Sequence, residues 1–350
     1  MVTSTKLINF DHKCQSLALT WKGSPVFTTS LVDVKMNRCA VAYRDEASAD
    51  MTRIFEVAKD VYQITPGDGV PRPCSVVYFI ADERPALIET GPAVIATSVL
   101  EGLRQLGHDP KSISYIALTH IHMDHAGGAG YLVQQLPGVE VIIHHRVAQH
   151  LAEPSRLIGG VKHTFGADFE REFGAILPVP EERIRSVQGG EVFSLGRKQL
   201  KVIASPGHAP HHLCFYEPSE RWLFSGDALG VYFPETDTVV PAVAPPGFAL
   251  DLALKTADEI GRLPPAVLFY SHYGPGREVA ALIKQAKDMT EACGQVVLEA
   301  MRSGANSEQV YQRLEGYLRG IVPDLPELGP TFMRVTAEGY MFYFRQGGAA

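Results

Sequence analysis

Four side chains able to bind a metal ion lie within six residues in Thr119-His120-Ile121-His122-Met123-Asp124-His125-Ala126-Gly127-Gly128. His120 and His122 are two apart, so in extended backbone they point to the same side. Asp124 and His125 follow where a turn into a helix can swing them to a second position, and Gly127 and Gly128 permit tight backbone packing beside them. A lone histidine is usually a satisfied structural residue; three histidines and an aspartate this close, after an apolar strand, are better read as ligands. Imidazole and carboxylate without thiolate suit Zn²⁺, with Fe²⁺ or Mn²⁺ as alternative occupants. Such ions acidify bound water and make a hydroxide nucleophile available near neutral pH.

The elements that must position this cluster are legible as short strands and amphipathic helices. Arg53–Ile64 reads as a hairpin, with strands expected at Cys74–Ile80, Ala86–Glu89, Ile113–Thr119, Val139–Ile143, Leu200–Ala204, Leu213–Tyr216, Trp222–Phe224 and Ala266–Ser271. Ala93–Leu106 and Leu250–Leu263 have helical spacing. Arg277–Met301 is the clearest helix, with an apolar stripe through Leu282, Ile283, Ala286, Met289, Cys293 and Val297. Ser307–Arg319 is a second C-terminal helix with Ser307 as its expected N-cap. Residues 151–180, rich in Gly and Pro, are expected as an irregular loop or lid. The pattern is α/β.

The arrangement His-x-His-x-Asp-His followed by Gly-Gly resembles the metallo-β-lactamase-fold superfamily. Three later segments continue the resemblance in the same order: Ser205-Pro206-Gly207-His208, Phe224-Ser225-Gly226-Asp227 and Phe269-Tyr270-Ser271-His272. The resemblance covers about residues 54–275. It implies an αββα sandwich with two divalent metal ions, most simply Zn²⁺. By it His120, His122 and His208 hold the first ion, Asp124, His125 and His272 hold the second, and Asp227 bridges them. A water between ions about 3.5–4 Å apart would be the nucleophile, with Asp124 orienting it as the catalytic residue.

Further positions are weaker. His212 falls where relatives with a Pro-Gly-His-x-x-Gly-His pattern have a second histidine, a position beside the ligands or facing substrate; His211 replaces the usual glycine. Glu89-Thr90-Gly91 stands where Asp-Thr-Gly is more usual. Tyr232 and Tyr273 could donate to substrate, although packing explains most tyrosines. His144, His145, His150 and His163 are expected as packing or surface residues, Cys214 as a buried hydrophobe, and Lys284 and Lys287 as a solvated helix face.

The chain has 350 residues, 45% hydrophobic and 20% charged, with a net charge of -7. Three parts are expected: an N-terminal extension over 1–50, poorly ordered or the product of an over-long reading frame; a catalytic domain over 51–275; and a helical C-terminal region over 276–350. The acidic balance and absence of a dense basic run argue against nucleic acid. Five dispersed cysteines form no C-x-x-C pair and fit a reducing compartment. No apolar run approaches the roughly 18 residues of a membrane span, so the expected location is cytoplasmic, with a small-molecule substrate and room for a homodimer.

The expected activity is hydrolysis of a small ester, thioester or lactone, similar to the glyoxalase II-like branch. A mononuclear-iron oxidoreductase resembling persulfide dioxygenases is the alternative. Flavodiiron reductases are disfavoured because they carry glutamate where His122 stands. A nuclease ranks lower, and a scaffold that merely retained its ligands lower still.

Overall fold

The computed structural model describes residues 52–67, 75–322 and 329–348; the expectation for residues 1–50 therefore lies outside the described residues. The chain first builds a seven-stranded sheet. Strands β1 (Arg53–Ala58), β2 (Val61–Thr65), β3 (Val77–Ile80) and β4 (Ala86–Ile88) run antiparallel in sequence order, and β5 (Tyr115–Ala117), β6 (Glu140–His144) and β7 (Ile184–Val187) continue the sheet in parallel from β4. Parallel neighbours need a crossover, supplied by α1 (Ala96–Gln105) between β4 and β5, and by α2 (Met123–Ala126) with α3 (Ala129–Gln135) between β5 and β6.

Between β6 and β7 lie α4 (Ala148–Ala152), α5 (Ser155–Phe165) and α6 (Phe169–Phe173). Residues 151–180 are thus largely helical rather than an irregular loop. Pro154 precedes α5, and Gly166 (φ +56°) and Gly174 (φ +74°) terminate α5 and α6, while Gly159 and Gly160 lie inside α5. The apolar residues of α5 make a narrow stripe, and Phe169, Phe173 and Met123 form the cluster that Leu157, Ile158, Val161 and Phe165 cover.

The second sheet has the order β15-β14-β11-β10-β9-β8, from β8 (Val192–Ser194), β9 (Gln199–Ala204), β10 (Leu213–Glu217), β11 (Trp222–Gly226), β14 (Val267–Tyr270) and β15 (Pro275–Gly276); only β11 and β14 pair in parallel. A separate hairpin, β12 (Val231–Phe233) with β13 (Thr238–Val240), follows β11, and α7 (Leu250–Arg262) leads into β14. The sheets touch at an edge, where Ser75 bridges His272 and the Val76 amide donates to the Ser271 carbonyl at 2.8 Å.

Period-two alternation decides the layers. On β3, Tyr78 and Ile80 face the second sheet and meet Phe215, Phe224 and Phe269, while Val77 and Phe79 face α1 and α3. On β10, β11 and β14 the residues facing out, including Tyr216, Leu223, Leu268 and Tyr270, pack on α7 and the first half of α8 (Val279–Arg302). The result is a four-layer αββα sandwich.

Helix α8 is longer than the sheet it covers. Its buried residues run from Leu282 to Ala300, and its second half packs with α9 (Ser307–Ile321), α10 (Pro330–Arg345) and the β12–β13 hairpin. Ser307 is the first residue of α9 rather than its cap. Asn306 caps it, accepting from the Gln309 amide, while the Gln309 side chain accepts from the Asn306 amide. Among the described residues, no helix is long and apolar enough to cross a membrane.

Candidate metal centre

The seven side chains singled out in the sequence meet at the end of the sandwich where β5, β11 and β14 stop. After β5 the chain bends at Thr119 and runs to His122, the residue before α2; Met123 begins the helix that turns Asp124 and His125 inward. His208 follows β9 in a loop whose Gly207 (φ +149°) lies so close to α7 that a Cβ would stand 2.4 Å from the Ala253 Cα. Asp227 follows β11 through Gly226 (φ +53°), where a Cβ would stand 2.6 Å from His212 Nε2. His272 follows β14.

Hydrogen bonds behind the rings settle which nitrogens face the centre. The Thr119 hydroxyl has one proton, which it donates to Glu89 Oε1 at 2.5 Å, so at 3.0 Å it accepts from His120 Nδ1. His208 Nδ1 donates to the Ala242 carbonyl at 2.9 Å. His120 Nε2 and His208 Nε2 therefore both present lone pairs, each 2.9 Å from His122 Nδ1. One proton on His122 can satisfy one of them at most. Three nitrogens converging with at least one unsatisfied lone pair fit a cation.

The neighbouring group supports the same inference. Asp124, His125 and His272 bring one ligand atom each within 4.8 Å of one another, as do His120, His122 and His208. His125 Nδ1 donates to Glu89 Oε1 at 3.1 Å, leaving Nε2 to face Asp124 Oδ2 at 3.3 Å and Asp227 Oδ2 at 3.5 Å. His125 Nε2 and Asp227 Oδ1 are buried without a hydrogen-bond partner. Burial opposes charge on His125, but Asp124, Asp227 and Glu89 outweigh it and push its pKa well up. In the absence of a metal, a proton is the only positive charge this ring can offer those carboxylates. Asp227 reaches both groups, with Oδ2 3.6 Å from His208 Nε2 and Oδ1 3.5 Å from His272 Nε2.

Residues behind the ligands hold them. Glu89, fully buried and at φ +67°, accepts from the Thr119 amide at 3.2 Å and the Ser271 hydroxyl at 2.9 Å, besides Thr119 Oγ1 and His125. The carboxylate one methylene longer than aspartate thus fills the supporting position. The positive φ is a strained conformation for a side-chain-bearing residue, kept because four donors fix the carboxylate. The Asp227 amide donates to His212 Nε2 at 3.1 Å, so His212 carries its proton on Nδ1 and donates to Ser205 Oγ at 2.8 Å. His212 is thereby engaged at both nitrogens and positions Asp227.

Tyr232 does not turn its hydroxyl to the centre: it donates to Asp237 at 2.9 Å, and its ring stacks on Tyr270. Tyr273, at φ +64°, packs its ring against Phe233 at 4.9 Å and lies 6.4 Å from the His272 ring. Thr119, Ser271 and Ser205 have no signal in the sequence beyond adjacency to ligands. Thr119 and Ser271 matter because each meets Glu89, 30 and 182 positions away, and Ser205 because it accepts from His212 across the turn between β9 and β10.

Glu89→Ala strands four donors and is expected to lower stability by roughly 3 kcal/mol or more, read as a fall in Tm, with a drop in metal affinity of about 10–100-fold. An unchanged Tm and metal affinity would remove the supporting role.

A pH dependence follows for the metal-free chain. Burial first, and neighbouring imidazoles second, lower the pKa of His120 and of His122, the latter to about 3; burial also lowers His212 and His272. Below the unfolded value of about 6.5 the unfolded chain takes up protons that the folded chain refuses, so stability falls with pH. His125, raised instead, gives a contribution already complete below that value and does not offset the loss. The Tm of the metal-free protein is expected to drop steadily from pH 6.5 to 4.5; a flat profile would contradict the burial of neutral imidazoles.

The pattern described as the metallo-beta-lactamase superfamily matches residues 69–272, more than half of the chain. A metallo-beta-lactamase fold-containing protein of Sulfurisphaera tokodaii is 26% identical over 172 residues, 46% of this chain and 61% of its own length. The acyl-coenzyme A thioesterase MBLAC2 of Gallus gallus is 31% identical over 137 residues, 35% of this chain and 44% of its own length. A hydroxyacylglutathione hydrolase of Legionella pneumophila is 28% identical over 114 residues, 33% of each chain. The chain thus covers less than two thirds of the length of each of these relatives. Among solved structures, a metallo-beta-lactamase family protein from Thermus thermophilus shares the fold with a TM-score of 0.61 at 21% identity, over 83% of this chain and 94% of its own. The match across residues 69–272, together with the αββα sandwich, shows that this chain belongs to the metallo-beta-lactamase superfamily.

Proposed function

We propose that this chain is a metal-dependent hydrolase of a small acyl compound, a thioester before an ester or lactone. The observation that carries the reading is the Asp227 carboxylate lying between two three-residue groups, within 3.6 Å of His208 Nε2 in one and 3.5 Å of His125 Nε2 and His272 Nε2 in the other. Two divalent cations fit, with His120, His122 and His208 holding one, Asp124, His125 and His272 the other, and Asp227 shared. Zn²⁺ suits the donor set best. When bound, such ions acidify a water molecule and stabilise negative charge developing on the acyl oxygen.

The chain's own residues divide the remaining work. Asp124 has a third of its side chain exposed, against 7% for Asp227 and 4% for His272, so it borders the cleft. Burial opposes its charge, but the nearby His125 and His272 outweigh that and hold its carboxyl well below the ordinary range. It is an acceptor at any working pH and orients the attacking water through a hydrogen bond. Glu89 and His212 keep His125 and Asp227 in register.

The thioester preference rests on two relatives, named an acyl-coenzyme A thioesterase and a hydroxyacylglutathione hydrolase. Elemental analysis of the purified chain combined with a panel of thioesters, esters and lactones tests the reading. About two equivalents of zinc per chain and thioester turnover are expected. A single iron with oxygen uptake, or a metal-loaded chain inert on the whole panel, would overturn it.

A further inference from the structure

We propose that Gln285, on α8, is a positioning residue for the metal centre: it clamps the β12–β13 hairpin and, through that hairpin, holds His208 in the orientation that turns its Nε2 to the first cation. The proposal rests on the metal-dependent reading of the centre and adds to it a residue outside the seven candidate ligands.

The clamp is a pair of hydrogen bonds. Gln285 Oε1 accepts from the Val239 amide, and Gln285 Nε2 donates to the Asp237 carbonyl at 3.2 Å. Alternate residues of a strand turn their amide and carbonyl to the same edge. The carboxamide therefore takes the outer edge of β13 as a residue of a third strand would. Two strands alone are marginal in water, and the sheet here consists of β12 and β13 only. Around the two bonds the contact is apolar: Val231, Phe233 and Val240 share a buried cluster with Met289, Cys293 and Val297 of α8. Apolar packing is non-directional, so it is the carboxamide that fixes where β13 sits along the helix.

The hairpin is tied to the centre at both ends. Before it, the Gly230 amide donates to the Asp227 carbonyl at 3.0 Å. After it, two residues beyond β13, the Ala242 carbonyl accepts from His208 Nδ1 at 2.9 Å. Between these ends Phe233 packs on Tyr273, the neighbour of His272, at 4.9 Å. Ala242 is buried in the same apolar cluster as the hairpin. Its carbonyl fixes the His208 tautomer and leaves Nε2 free to ligate, and its own place is set by the strand that Gln285 grips. A slip of β13 along α8 would carry Ala242 with it and release the His208 ring.

The test is proton–nitrogen NMR of the full zinc-loaded chain, beside a Co²⁺ titration of the metal-free chain followed by visible absorption. The His208 Nδ1 proton, identified by its loss in His208→Ala, is buried and expected to exchange slowly with water in the wild type. Gln285→Met keeps the side chain's length and removes both hydrogen bonds. Exchange of that proton is expected to quicken about 10-fold, and the Co²⁺ site that includes His208 to bind about 10-fold more weakly while the other binds as in the wild type. Lys284→Met, one residue earlier on the exposed face of α8, should change neither. A residue that served only packing would lower Tm on substitution and leave the exchange rate and the Co²⁺ affinities at their wild-type values. That result, a change in only one of the two readouts, or equal changes in Lys284→Met, overturns the positioning role alone. A wild-type chain that takes up no Co²⁺ overturns the metal-dependent reading and the positioning role together.

Discussion

Asp227→Asn is expected to lower thioester turnover on the order of 10³-fold, the loss that follows from several kcal/mol of metal-borne stabilisation, while leaving the αββα sandwich folded. Asparagine keeps the size of the side chain and the backbone amide that donates to His212. It removes the charge that faces His125, His208 and His272 from one carboxylate. Both proposed cation sites would lose their shared negative charge at once, so metal content should fall at both. Replacing a residue confined to one group, such as His208, should empty mainly that group. Elemental analysis and far-UV circular dichroism beside the kinetics read these apart. Wild-type metal content and turnover in Asp227→Asn would remove the shared position assigned to Asp227.

Chelation should abolish activity and lower Tm together. Without cations the centre holds lone pairs against lone pairs at His120, His122 and His208, and two buried or half-buried carboxylates answered only by histidines. A ligand that binds the folded state alone stabilises it by about 4 kcal/mol at a thousand times its dissociation constant. Loss of the ions should therefore shift Tm by several degrees and steepen the acid destabilisation of the metal-free chain. Re-addition of Zn²⁺ should restore both, and parallel trials with Mn²⁺ and Fe²⁺ rank the occupants. Indifference of Tm and turnover to complete metal removal would leave the convergence of these seven residues without a chemical purpose.

Glu89 shows how local reading falls short. Glu89 stands out in the sequence only as a departure from Asp-Thr-Gly, because nothing in its neighbourhood of sequence reveals that Thr119, His125 and Ser271 will all donate to it.

By itself, the sequence determined the period-two strands and helical stripes, and hence the layered α/β order. It also determined the chemical type of the centre, because a dense run of imidazoles and a carboxylate at a strand end has few other uses. These are local properties, written in the spacing of neighbouring residues. Only the tertiary structure decided which way Tyr232 points, that residues 151–180 coil into helices, and how each ligand ring is turned by a partner behind it. Those outcomes depend on contacts between distant segments, where a hydrogen-bond partner or a packing surface exists only once the two sheets have closed on each other.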